Sequence, residues 1–188
     1  MVQRFVAFAV LSLLAAAVPA SAQSREKVGD IGTVENGVYR HDRTGVEFTL
    51  PSGWTLVSQG HADHGGHGVV LKDSVTDAFG WVWMKSQRNE PGDIAGLLER
   101  RLDVKLLQRN NFEGYKFRPG SVQHITVGGN QGMGVVADYV SLGQRKSEYL
   151  TWIYSGKTHV YFDGRVPEAQ LPSFQARFNE LIQSAVIP

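Results

Sequence analysis

Residues 61–68 read His-Ala-Asp-His-Gly-Gly-His-Gly and hold three of the six histidines in a 188-residue chain. His61, His64 and His67 recur every third residue, and Asp63 adds a carboxylate. Neutral imidazole and carboxylate are ligand types for Zn(II), Cu(II) and Ni(II). Gly60, Gly65, Gly66 and Gly68 allow the backbone to bend the rings around one ion. The same glycines leave such a site poorly preorganised, because ordering them costs entropy. Three outcomes stay open: a metal site on His61, Asp63, His64 and His67, a loop whose histidines never meet, or a loop that gains charge in mildly acidic surroundings.

A second candidate is Trp81-Val82-Trp83-Met84. In a strand, Trp81 and Trp83 share one face and Val82 and Met84 the other. Exposed, the two indoles would stack on a sugar ring or grip a partner; in a sheet covered on both sides they are core, and core is the expectation. Gly128-Gly129-Asn130-Gln131-Gly132 lacks the Lys-Ser/Thr of a phosphate loop and reads as a hairpin turn. The chain has neither a G-x-S-x-G elbow nor an H-E-x-x-H motif. Asp138, Glu148 and Asp163 are scattered, with no pairing visible in their spacing. A hydrolase would need a serine or a carboxylate pair beside His124 or His159 in a cleft. No catalytic residue is assigned, and a non-enzymatic protein is expected.

These residues must be carried by whatever follows the N-terminal segment. Met1 to Arg4 is short and basic, Phe5 to Val18 almost wholly apolar, and Pro19-Ala20-Ser21-Ala22 ends in an A-x-A box. That is the pattern of a signal peptide cleaved after Ala22, and the apolar run is too short for a comfortable membrane span. No cysteine is present, which excludes a lipid-anchored cysteine, disulfides, thiolate metal sites and thiol catalysis. A periplasmic or secreted protein without a further membrane span is expected, stabilised by packing alone. Removing residues 1–22 removes Arg4 and no acid, so 19 basic against 18 acidic residues become 18 against 18. That balance argues against nucleic-acid binding.

Residues 23–36 are polar and read as a flexible lead-in, and residues 37–188 as one domain. Val38–Arg40, Val46–Leu50 and Trp54–Val57 alternate as strands, and Val69–Lys72 and Ala78–Met84 follow the histidine loop. Pro91-Gly92-Asp93 opens a helix with Asp93 as N-cap; its apolar stripe is Ile94, Leu97, Leu98, Leu102 and Leu106. Val122–Val127, Val135–Ser141, Glu148–Tyr154 and Thr158–Phe162 form a meander. A second helix carries Phe174, Phe178, Leu181, Ile182 and Val186, with Pro172 in its first turn. Hairpins without strand–helix alternation imply an antiparallel sheet flanked by helices, an α+β domain.

The run from Tyr39 to Trp54, YRHDRTGVEFTLPSGW, resembles the opening of PsbP-like domains, where a Gly-aromatic strand leads into Pro-x-Gly-Trp. The order of elements from Gly37 onward agrees. The resemblance implies the α/β/α sandwich of the photosystem II extrinsic protein PsbP, shared with an import factor that binds the GTPase Ran and with many exported bacterial proteins. It implies a binding or assembly role with a protein partner in the cell envelope. It carries over no functional residue, because the matching positions are structural: Pro51 and Gly53 shape a turn, and Phe48 and Trp54 fill the core.

Overall fold

The structure is a computed structural model that describes residues 32–62, 66–87 and 92–188. The expected signal peptide, and Asp63 and His64, lie outside the described residues. Strands β1 (Gly32–Glu35), β2 (Val38–His41) and β3 (Glu47–Thr49) form a small antiparallel sheet. β4 (Trp54–Ala62), β5 (Gly66–Asp73), β6 (Ala78–Ser86), β7 (Glu113–Phe117), β8 (Gln123–Val127), β9 (Asn130–Ser141), β10 (Gln144–Ser155) and β11 (Thr158–Pro167) form a second sheet of eight strands. Its order is β4-β5-β6-β11-β10-β9, with β7 and β8 end to end along the outer edge of β9. Helices α1 (Ile94–Gln108) and α2 (Leu171–Gln183) complete the domain. The expected α+β, antiparallel, helix-flanked fold is what the chain forms.

Three boundaries differ from expectation. β1 lies inside the stretch read as a flexible lead-in; its Gly-Thr-Val-Glu sequence has one apolar residue, yet it pairs fully with β2. Strand pairing of β4 and β5 extends into the glycine-rich histidine segment from both sides, as far as Ala62 opposite Gly66. β7 follows α1 in a stretch with no alternation to read. A bulge at Leu56/Ser58 in β4 turns Val57 out to solvent.

One face of the large sheet packs on α2 and the small sheet. Phe174, Phe178, Leu181 and Ile182 of α2 are fully buried with Phe48, Tyr39 and Trp54. The sheet makes room with a cross-strand pair, Gly80 opposite Gly164. A Cβ at Gly164 would stand 2.4 Å from the Phe174 ring, and one at Gly80 2.7 Å from Phe178. Arg177 locks the helix in place through Nε and an Nη to the Asp73 carboxylate (2.7–3.1 Å) and an Nη to the Ser52 carbonyl (2.6 Å). Phe48 stacks on Tyr39 and Trp54 on Phe178, as expected for structural motif positions. Val186, expected in the α2 stripe, lies past the helix end and is exposed, its backbone bridging to Glu47.

The opposite face carries α1, capped by Asp93 Oδ1 accepting from the Gly96 amide at 2.9 Å. Leu98 buries against Met133, Val135, Leu150 and Trp152, so α1 lies over β9, β10 and β11. Leu106 was expected inward, but it is 39% exposed, and Lys105 is buried in its place.

Candidate functional site

β6 alternates Phe79-Gly80-Trp81-Val82-Trp83-Met84, so its aromatics point to the α1 side and Val82 and Met84 point into the α2 core. α1 does not extend over β4, β5 and β6. Expected in the core, Trp83 is instead 38% exposed, Phe79 is 39% exposed and Trp81 is half-buried. The physical reason is that, among the described residues, a single helix covers half of that face. Trp83 lies flat on Gly68 of β5, where a Cβ would come within 2.8 Å of the indole. Gly60 faces Gly68 across the strands, so the floor beside the ring is bare backbone. Cations lean on the other two rings: Arg165 over Trp81 at 5.0 Å and Lys72 over Phe79 at 5.7 Å.

Three cavities adjoin these tryptophans. One of about 450 Å³ lies between Phe79, Trp81 and the stacked pair Phe112–Tyr139, with Lys146 and Arg165 in its lining. One of about 180 Å³ sits over Gly60 and Gly68 and touches both tryptophans. The third, about 280 Å³, separates Trp83 from Arg101, Val104, Lys105 and Gln108 of α1. The cavities meet at Trp81 and Trp83, and the third forms a groove between α1 and β6.

Beneath the helix lies a buried charge cluster. Glu148 and Asp163, which show no pairing in sequence, are brought together by the β10–β11 register, with Arg165 opposite Glu148. Glu148 Oε1 contacts Lys105 (3.4 Å), Arg109 (3.0 Å) and Arg165 (3.0 Å), and Oε2 accepts from the Tyr115 hydroxyl at 2.5 Å. Asp163 takes Arg165 on both oxygens, and Arg109 and the Tyr161 hydroxyl on Oδ2. Lys105 also donates to Tyr161. Burial pushes the Lys105 ammonium below its ordinary range, against the pull of Asp163 and Glu148. Burial alone would raise the Asp163 carboxyl, but Lys105 and Arg165 outweigh it and hold the group below the usual range. Burial and the carboxylates push Tyr161 well up, so it stays a neutral phenol. Every carboxylate oxygen here is occupied by a donor. The cluster pins α1 to the sheet.

The β4–β5 pairing places His61 directly opposite His67. His67 is buried, and its ring stacks on His41 of β2 at 4.2 Å. His41 Nδ1 lies 2.8 Å from Thr44 Oγ1, and His67 Nε2 lies 3.3 Å from Gln59 Oε1. His41 was missed in sequence, because only the packing of the small sheet on the large one brings it there. Among the described residues, no group of three or more His, Cys, Asp or Glu is placed to hold a metal ion. His159 lies beside Tyr154 with Nδ1 2.9 Å from Gln87 Nε2, and burial with Arg101 and Lys85 nearby pushes it down to about 4. His124 is exposed on β8. Among the described residues, neither His124 nor His159 shares its cavity with a serine or a carboxylate. Among them, too, no helix is long and apolar enough to cross a membrane.

No protein-family model matches the sequence, and no curated protein is significantly similar to it. Solved structures do match. The solution structure of cyanobacterial PsbP (CyanoP) from Synechocystis sp. PCC 6803 superposes with a TM-score of 0.61 at 15% identity, covering 86% of this chain and 99% of that one. LpqN, described as involved in cell envelope biogenesis of Mycobacterium tuberculosis, gives a TM-score of 0.49 at 13% identity, covering 76% of this chain and 83% of its own. A Pseudomonas aeruginosa protein described as a possible regulator gives 0.46 at 12% identity, covering 76% and 90%. Only the first overlap carries weight, and it establishes the fold: this chain has the PsbP-like sandwich.

Proposed function

We propose that this chain is an exported, non-enzymatic binding or assembly protein that engages a protein of the cell envelope through the groove between α1 and β6. The observation that carries the proposal is the half-face that α1 leaves uncovered among the described residues, where Phe79, Trp81 and Trp83 stand exposed or half-buried among cations. Aromatic and arginine side chains dominate binding hot spots, and contiguous exposed apolar surface marks interaction sites. The signal-peptide pattern supports export, and N-terminal sequencing of the secreted or periplasmic form is expected to begin at Gln23. The test of function is co-purification from mildly crosslinked envelope extract with wild-type and Trp83→Ala protein. A partner retained by the first and lost by the second supports the proposal; equal recovery refutes it.

A second role rests on the β4–β5 pairing. His61 opposite His67, with His64 and Asp63 in the connecting residues, keeps weak Zn(II), Cu(II) or Ni(II) binding as a proposal. Calorimetry at neutral pH on wild type and on a His61→Ala/His64→Ala variant tests it. Heat that the variant loses, and that fades below pH ~6 as protons compete for imidazole, supports metal handling. Identical titrations refute it.

A further inference from the structure

The cavity of about 450 Å³ beside Trp81 is lined neither by α1 nor by Trp83. Its size falls within the roughly 300–1,000 Å³ of small-molecule sites. Strand register builds it. Phe79 pairs with Arg165, and Lys146 pairs with both Tyr139 and Pro167, so these side chains rise from one face of β6, β11, β10 and β9. β6 and β9 are three strand spacings apart, about 14 Å. Phe79 and Trp81 stand at one side of that span. Tyr139 stands at the other, with Phe112 stacked on it at 5.1 Å. Lys146 lies between them, beside Tyr139.

Most polar groups of the lining are already committed. Thr76 donates to Asp73 at 2.7 Å, and Asp77 pairs with Lys72 at 2.7 Å. Arg165 is held by Glu148 and Asp163. Lys146 has no ion pair among the described residues. The rings restrict the sign of a ligand. An aromatic box can hold a cation, but three of these rings already have a protein cation over them: Arg165 on Trp81 at 5.0 Å, Lys72 on Phe79 at 5.7 Å and Arg109 on Phe112 at 5.2 Å. A cationic ligand would meet those charges and Lys146. A sugar would need partners for several hydroxyls, and beyond Lys146 and Tyr139 the uncommitted polar side chains of the lining are Ser141 and Gln170. We infer that this cavity binds a small aromatic carboxylate, its rings held among Phe79, Trp81, Phe112 and Tyr139 and its carboxylate on the Lys146 ammonium. The site stands apart from the protein-docking role, which turns on Trp83.

Calorimetry on the purified protein tests this, with naphthoate as the probe. Wild type should give saturable binding at one site. Naphthamide, which keeps the rings and lacks the charge, should bind about tenfold more weakly, the worth of one charge-assisted hydrogen bond. Lys146→Gln should weaken naphthoate by the same factor, and Lys146→Glu should abolish its binding. Lys146 is half-buried at a strand end, so both variants should fold, as circular dichroism would verify. Trp83→Ala should bind naphthoate as wild type does, because Trp83 is outside the lining. Equal affinity for naphthoate and naphthamide, or for wild type and Lys146→Gln, overturns the carboxylate contact. Octanoate or glucuronate binding more tightly than naphthoate overturns the aromatic body. Naphthoate binding lost on Trp83→Ala puts the probe in a neighbouring cavity and overturns the site, as does the absence of saturable heat with every probe.

Discussion

At the scale of single residues, the stabilising contacts are long-range ion pairs that spacing does not reveal. Arg177 and Asp73 are 104 positions apart, yet they form a bidentate pair with the carboxylate fully buried. Arg177→Ala should destabilise by about 3 kcal/mol, the low end for breaking a buried pair because Arg177 keeps 21% exposure; urea unfolding measures it. His159 makes a pH prediction. Its folded pKa of about 4 lies below the ordinary imidazole value of 6.5, so the unfolded chain binds the extra proton between these values. Its contribution to stability is complete above pH 6.5 and is lost as pH falls toward 4. His159→Gln should flatten that part of the curve of Tm against pH; an unchanged slope would show that His159 does not set it. Among these residues, Asp93 as N-cap and the core roles of Phe48 and Trp54 were legible, since they follow from local rules. Lys105, Glu148 and Asp163 were not, because their partners meet only through strand register and helix docking.

At the scale of elements, period-two and helical patterns were good guides wherever one face is buried. The strands flanking Trp81 and both helices appear where alternation places them. Two failures have physical causes. The histidine stretch has the composition of a loop, but Gly60, Gly66 and Gly68 sit in paired strands, where ladder hydrogen bonds offset their entropy. In α1, the buried stripe runs through Lys105 and not Leu106, because the carboxylates of β10 and β11 favour a cation there. The glycine pair in the sheet gives the element-scale prediction. Gly164→Ala should cost about 2 kcal/mol through overpacking against Phe174. If urea unfolding shows no loss, α2 is not seated as described.

At the scale of the whole molecule, the sandwich was legible from element order and from the Tyr39–Trp54 run, and the overlap with cyanobacterial PsbP bears it out. The candidate site was legible only as the residue pair Trp81 and Trp83, and they were assigned to the wrong environment. Sequence shows that a strand has two apolar faces; it does not show that one helix spans only three of the strands on its side. That unequal coverage, more than any motif, makes the groove. The tryptophans report on it directly, because Trp54 and Trp152 are each 5% exposed and serve as protected internal references. The decisive measurement is oxidative footprinting of the protein, alone and in envelope extract, with each tryptophan quantified by mass spectrometry. Docking at the groove predicts that Trp83 and Trp81 react in the pure protein and are shielded in extract, while Trp54 and Trp152 stay unreactive in both. Trp83 reacting equally in both samples would contradict it.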